Sequence, residues 1–202
     1  MTNKDTITEV AMRLFAEKGF KDTSTAELAR KAGTAEATVF HHFKNKEDLF
    51  LNVLDRVRHD IVGEVERSLR EAEFEDGLAM VNGIIALYFH VAETKRVECL
   101  LLFRNYPYQL ANVNPVCREH LETVHDCFVN YLAEAIRHGQ KDGSIREANP
   151  HKQAMIVFAM ASGLLRFDLF GITPAAALYD EIVESCTRML RSEEPRPRME
   201  ER

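Results

Sequence analysis

The sequence predicts an all-α protein, with a helix-turn-helix domain at residues 1–47 and a larger helical domain at residues 48–202. Three observations predict it. Glycine and proline are few, 9 and 6 in 202 residues, and the segments between them repeat apolar residues at helical rather than alternating spacing. Helix start and stop signals recur along the chain. Between residues 24 and 43, capping, turn and core signals follow one another at the intervals that two steeply packed helices need.

In chain order, Ile7, Val10, Ala11, Leu14 and Phe15 mark the buried face of a first helix, which Gly19 ends by supplying a left-handed residue. Ser24-Thr25-Ala26-Glu27 reads as a capping box, with the serine oxygen accepting a helix amide and Glu27 reaching back to the serine amide. A second helix therefore runs to about Lys31 and breaks at Ala32-Gly33, after which Thr34 caps a third helix to about His42. Asn45 caps a fourth, with Glu47 and Asp48 in its first turn. Longer helices follow at about 46–71, 76–92, 94–106, 115–140, 150–170 and 174–191, about nine in all. Two of them open on Asn114-Pro115 and Asn149-Pro150, an amide cap before a first-position proline. The tail from Ser192, with Pro195, Pro197 and seven charges, is expected to fray.

The net charge of −6 is unevenly distributed. Residues 1–50 hold eight basic and eight acidic side chains, which leaves 18 and 24 for the remainder and puts the whole excess there. DNA contacts, if made, must be confined to a small face of the amino-terminal part. The four cysteines (Cys99, Cys117, Cys127, Cys186) form no CxxC pair, which argues against a zinc ribbon or a disulfide framework. Cys117, His120, Val124, Cys127 and Tyr131 share one helix face. The two cysteines there lie about 15 Å apart along the axis, so no metal is expected. No cofactor is expected either. The first residues carry no secretory signal, and apolar runs such as Gly83–Val91 fall short of a membrane span, so a cytoplasmic protein with no membrane partner is expected. No Gly-rich phosphate loop, GxSxG or HExxH occurs, so an enzyme is not expected.

Two packed helices need a small residue at the contact, a flexible turn and an apolar anchor, which Ala29, Gly33 and Val39 supply, with Leu28 and Phe43 completing the core. Extended to Ala11–Phe20, Thr23–Ala29, Ala32-Gly33 and Thr38–Leu49, the pattern resembles the amino-terminal domain of the TetR family of bacterial transcriptional regulators, over about a quarter of the chain. The resemblance implies a homodimer that binds double-stranded DNA at a palindromic operator and is released by a small-molecule effector, most often as a repressor. A helical enzyme or a structural protein without DNA is the alternative. By the same resemblance Thr23, Ser24, Thr25 and Lys46 hold phosphates. Thr34, Ala35, Glu36, Ala37, Thr38, His41 and His42 face the major groove, where Glu36 can accept from a cytosine amino group. Phe40 and Lys44 belong to the same interface, with Phe40 standing where the family usually has a phosphate-binding tyrosine.

The resemblance further implies a carboxy-terminal domain that dimerises and encloses an effector. Candidates for effector contact are Tyr88, Cys99, Phe103, Arg104, Cys117, His120, Val124, Cys127, Phe128 and Tyr131, each of which core packing would also explain. Arg104, inside an apolar run, calls for an anionic partner if buried. The helix at about 150–170 is apolar nearly all round and the last helix carries one apolar stripe. Phe158, Leu165, Phe167, Leu178, Ile182, Cys186 and Met189 are therefore expected in a four-helix dimer interface.

Overall fold

The computed structural model describes residues 3–192, so the tail with Pro195 and Pro197 lies outside the described residues. Among these there are ten α-helices and no strand. They are α1 (Asn3–Lys18), α2 (Thr25–Lys31), α3 (Glu36–His42), α4 (Lys46–Glu71), α5 (Gly77–Thr94), α6 (Arg96–Leu102), α7 (Asn105–Ala111), α8 (Pro115–Asp142), α9 (Pro150–Leu169) and α10 (Tyr179–Leu190). By compactness they divide into two units, residues 3–67 with 91–126 and residues 68–90 with 127–192, and α4, α5 and α8 each contribute to both.

The first unit grows from the anticipated stripe: Ile7, Ala11, Leu14 and Phe15 of α1 are buried with Leu28, Ala29, Val39 and Phe43, while Val10 is only half-buried and Met12 takes its place. Gly19 has φ +90°, as the end of α1 requires. The predicted caps of the longer helices form: Asn45 Oδ1 accepts from the Asp48 amide at 2.8 Å, Asn114 Oδ1 from Cys117 at 3.1 Å, and Asn149 Oδ1 from Lys152 at 3.0 Å.

Where the sequence predicts a single helix at 94–106 there are two. Continuing it through Pro107 would forfeit the hydrogen bond to the Phe103 carbonyl and crowd the ring against it. Arg104 instead turns extended (ψ 159°), and Pro107 falls in the first turn of α7, where an amide has no helical partner to lose. The first unit thus reaches beyond residue 47, because this junction packs on α1 and the loop after it.

In the second unit α5 starts against the end of α8. Its first amides are met by Asp142 Oδ2 (Gly77, 2.8 Å), Ser144 Oγ (Leu78, 3.2 Å) and Asp76 Oδ1 (Ala79, 2.7 Å). Val81, Ile84, Ile85, Val129, Leu132, Ile136, Val157, Leu164 and Leu165 fill the core. The helix predicted at 174–191 begins instead as a 3-10 turn at Ala175–Ala177, capped by Asp168, and becomes α-helical only after Leu178 (φ −127°, ψ 9°). By length and composition α5 could cross a membrane, which the interrupted run in the sequence did not anticipate, although 44% of it is buried inside the protein.

Candidate nucleic-acid interface

The turn between α2 and α3 closes in a way that fixes which residues face outward. The Thr34 amide donates to the Ala29 carbonyl (3.0 Å) and the Gly33 amide to the Arg30 carbonyl (3.3 Å), with Gly33 at φ +67°. This is a Schellman closure of α2, with Thr34 as its last member. Thr34 therefore does not cap α3. One more extended residue is needed, and Ala35 (φ −77°, ψ 151°) takes the cap position with no side-chain hydrogen bond. From there Val39 and Phe43 point into the core, while Ala35, Glu36, Ala37, Phe40, His41 and Lys44 are exposed and Thr34, Thr38 and His42 are half-buried. The outward face of α3 is thus free of core duties.

Around α2 the capping box is half made. Ser24 Oγ accepts from the Glu27 amide at 3.1 Å, as predicted. The Glu27 carboxylate, however, turns to Lys18 Nζ at 2.6 Å rather than to the serine amide, because an ammonium is the stronger partner. Thr25 Oγ1 donates to the Glu36 carboxylate, joining the starts of the two helices. Glu36 is therefore aimed but already shared.

Two of the predicted phosphate contacts are turned elsewhere. Thr23 is fully buried, its hydroxyl donating to the Gly19 carbonyl at 2.9 Å, so that side chain cannot reach a phosphate. Lys46 Nζ donates to the Thr23 carbonyl at 2.8 Å and sits 4.3 Å from the centroid of the Phe20 ring. Burial pushes the Lys46 pKa down, with Asp22 acting against it.

Arg104, offered as an effector contact, is turned to backbone. Its Nε and one terminal nitrogen donate to the Ala16 and Glu17 carbonyls at 2.7 and 2.6 Å. These are orphan acceptors at the negative end of α1, where a cation is favoured. Nothing local in the sequence announces a bond across 88 positions. Beside it the Tyr106 ring stacks on Phe20 (3.8 Å, 3°), and Phe50 meets Phe15, Phe20 and Tyr106 edge-on. Replacing Arg104 by alanine is expected to lower stability by about 2 kcal/mol, and by lysine about half that, since lysine cannot span both carbonyls. Urea midpoints measured side by side will check the order.

The other effector candidates divide between the two units. Cys99, Phe103, Cys117, His120 and Val124 lie in the first, and Tyr88, Cys127, Phe128 and Tyr131 in the second. Cys117 is fully buried with its thiol donating to the Pro107 carbonyl, and burial pushes its pKa up to about 11 and that of Cys99 up to about 12. Neither is primed as a thiolate. His120 Nδ1 is buried without a hydrogen-bond partner, 3.9 Å from Asp55 Oδ1, and burial pushes its pKa down. In the second unit Tyr88 meets Phe128 and Phe158 edge-on at 4.9 and 5.5 Å.

The proposed interface residues divide too. Leu165, Ile182 and Cys186 are buried within the chain, Phe158 and Met189 are half-buried, and Phe167 and Leu178 are exposed. Of the apolar stripe expected on the last helix, Ile182, Cys186 and Leu190 are consumed inside the unit. The outward apolar residues of α9 are instead Met155, Ile156, Met160 and Phe167, with Phe170 just past its end, and of these only Phe167 was among those expected.

Residues 7–53 match the family profile described as bacterial regulatory proteins, tetR family. The chain is 26% identical over 165 residues to the HTH-type transcriptional regulator TtgR of Pseudomonas putida, covering 79% of this chain and 77% of that protein. Among solved structures it superposes on a transcriptional regulator from Saccharomonospora viridis in complex with choline, at a TM-score of 0.80 and 21% identity, over 94% of this chain and 98% of the other. It also superposes on the regulator FadR from Bacillus subtilis in complex with stearoyl-CoA, at a TM-score of 0.71 and 18% identity, over 91% and 97%.

Proposed function

This chain belongs to the TetR family of bacterial regulators, and from that premise we infer that it is a DNA-binding transcriptional regulator that represses from a palindromic operator as a homodimer. The observation that carries this reading is the division of α3: Val39 and Phe43 face the core, and Glu36, Ala37, Phe40, His41 and Lys44 face out from a rigidly closed turn. Such a helix can enter a major groove without disturbing its own packing. Residues 1–47 serve as the DNA-binding domain, with Ser24 and Thr25 positioned for phosphate and Thr34, Ala35, Thr38 and His42 flanking the groove face. The protein works in the cytoplasm and is not an enzyme.

Release depends on a small molecule held by residues 48–202, since relatives of this fold carry ligands as different as choline and stearoyl-CoA. His120 is the polar contact proposed for it, because a buried ring nitrogen lacking a partner gains most from one. The effector acts only if it favours the conformer that binds DNA poorly. The dimer forms through the exposed stripe of α9, joined by Leu178, which supports the isologous contact a palindrome asks for.

Selection from a random-sequence duplex pool tests the DNA reading. A near-palindromic family of duplexes should be retained, with affinity falling steeply as salt rises. In the Glu36→Ala variant, preference should change at one position of each half-site, with about 1–3 kcal/mol less discrimination there and little change elsewhere. Retention of no sequence family would return the chain to the structural-protein alternative.

A further inference from the structure

Lys46 stands at the first position of α4, where the resemblance implies a phosphate contact, yet its ammonium is already engaged. It donates to the Thr23 carbonyl at 2.8 Å and lies over the Phe20 ring at 4.3 Å. Phe20 is in turn backed by Tyr106, parallel at 3.8 Å. Both Phe20 and Thr23 belong to the α1–α2 loop, whose next residue, Ser24, caps α2. The Thr23 hydroxyl secures the loop from the inside through Gly19, and the Lys46 ammonium secures it from the other end of its backbone unit. A cation shared between a carbonyl and an aromatic face is held by two fixed partners, although Lys46 itself stays half-buried. Leaving them for a phosphate would strand that carbonyl and expose the ring.

We propose that Lys46 is a positioning residue for DNA binding: tied to the Thr23 carbonyl and the Phe20–Tyr106 stack, it fixes where α2 begins and so presents α2 and α3, without neutralising a phosphate itself. The proposal rests on the DNA-binding reading and reverses the role the resemblance assigns to this lysine. Arginine can keep both contacts; methionine keeps the stem and loses the charge.

Two measurements on the full chain test it. The first needs no DNA: amide exchange across Phe20–Leu28 should quicken about tenfold in Lys46→Met and stay near the unaltered rate in Lys46→Arg, as expected for one charged hydrogen bond and one cation–π contact. Unchanged exchange in Lys46→Met overturns the proposal, whether or not the chain selects any duplex. The second uses a duplex recovered by the unaltered chain from a random pool, titrated over a range of salt. Lys46→Met should bind it about tenfold more weakly with the same dependence of log affinity on log salt. Tyr106→Leu, which removes the backing ring and no charge, should weaken binding in the same direction. A salt dependence reduced by about one in Lys46→Met is the signature of a lost phosphate contact and overturns the proposal.

Discussion

Gly77→Ala is expected to be the most destabilising of the glycine-to-alanine changes within the helices. A Cβ at Gly77 would lie 2.0 Å from the Gly139 nitrogen, 2.3 Å from its Cα and 2.6 Å from the Ala135 carbonyl oxygen. All three are backbone of α8, so no rotamer change relieves the contact and the start of α5 must move. That movement also breaks the caps from Asp142 and Ser144, which meet the Gly77 and Leu78 amides. The cost is at least about 3 kcal/mol, the upper end of ordinary overpacking. For a chain of this length it lowers the melting temperature by about 10 °C. Gly139→Ala meets the Ile145 side chain first, at 2.5 Å, and costs less. Gly83→Ala meets the edge of the Phe74 ring, which can turn, and costs least. Gly63→Ala in α4 meets nothing and should gain up to about 1 kcal/mol of helix propensity. Thermal melts of the four variants check the order, and a Gly77→Ala protein as stable as Gly83→Ala would contradict this reading of the crossing.

Much of this architecture was legible because local signals and core pattern agreed. Asn45, Asn114 and Asn149 cap the helices they were expected to cap, and Leu28, Ala29, Val39 and Phe43 occupy the core around the Gly33 turn. What was not legible depends on partners far along the chain. Arg104 reads locally as a cation stranded among leucines, and only the fold brings the carbonyl end of α1 to it. Thr23 and Lys46 look like phosphate ligands because their positions suit one, and the loop they hold together becomes visible only with its hydrogen bonds. Thr34 has the chemistry of a cap, but its amide belongs to the preceding helix. An apolar helix presents the hardest case: with apolar residues nearly all round α9, periodicity could not say whether Leu165 or Met160 faces outward.

Which face of α9 is outward decides the second large effect. Ile156, Met160, Gly163 and Phe167 recur at intervals of four, three and four, which places them on one side of the helix. Met160 and Phe167 are 36% and 46% exposed, so acidic side chains there can be solvated within a single chain. At the centre of a dimer contact the same charges would be desolvated without partners. The double variant Met160→Glu, Phe167→Glu should therefore keep its helical circular dichroism and sediment as a monomer. Its affinity for a palindromic duplex should fall by at least about a hundredfold, as one half-site must bind without the other. Gly163 refines the test. Nothing lies within 4 Å of the position a Cβ would take there, so in an isolated chain Gly163→Ala should stabilise as Gly63→Ala does. If a partner helix packs across this point, the added methyl meets it instead, and Gly163→Ala weakens self-association while Gly63→Ala leaves it unchanged. Equal self-association in the two alanine variants, together with a double-glutamate variant that stays dimeric, would place the interface elsewhere on the chain.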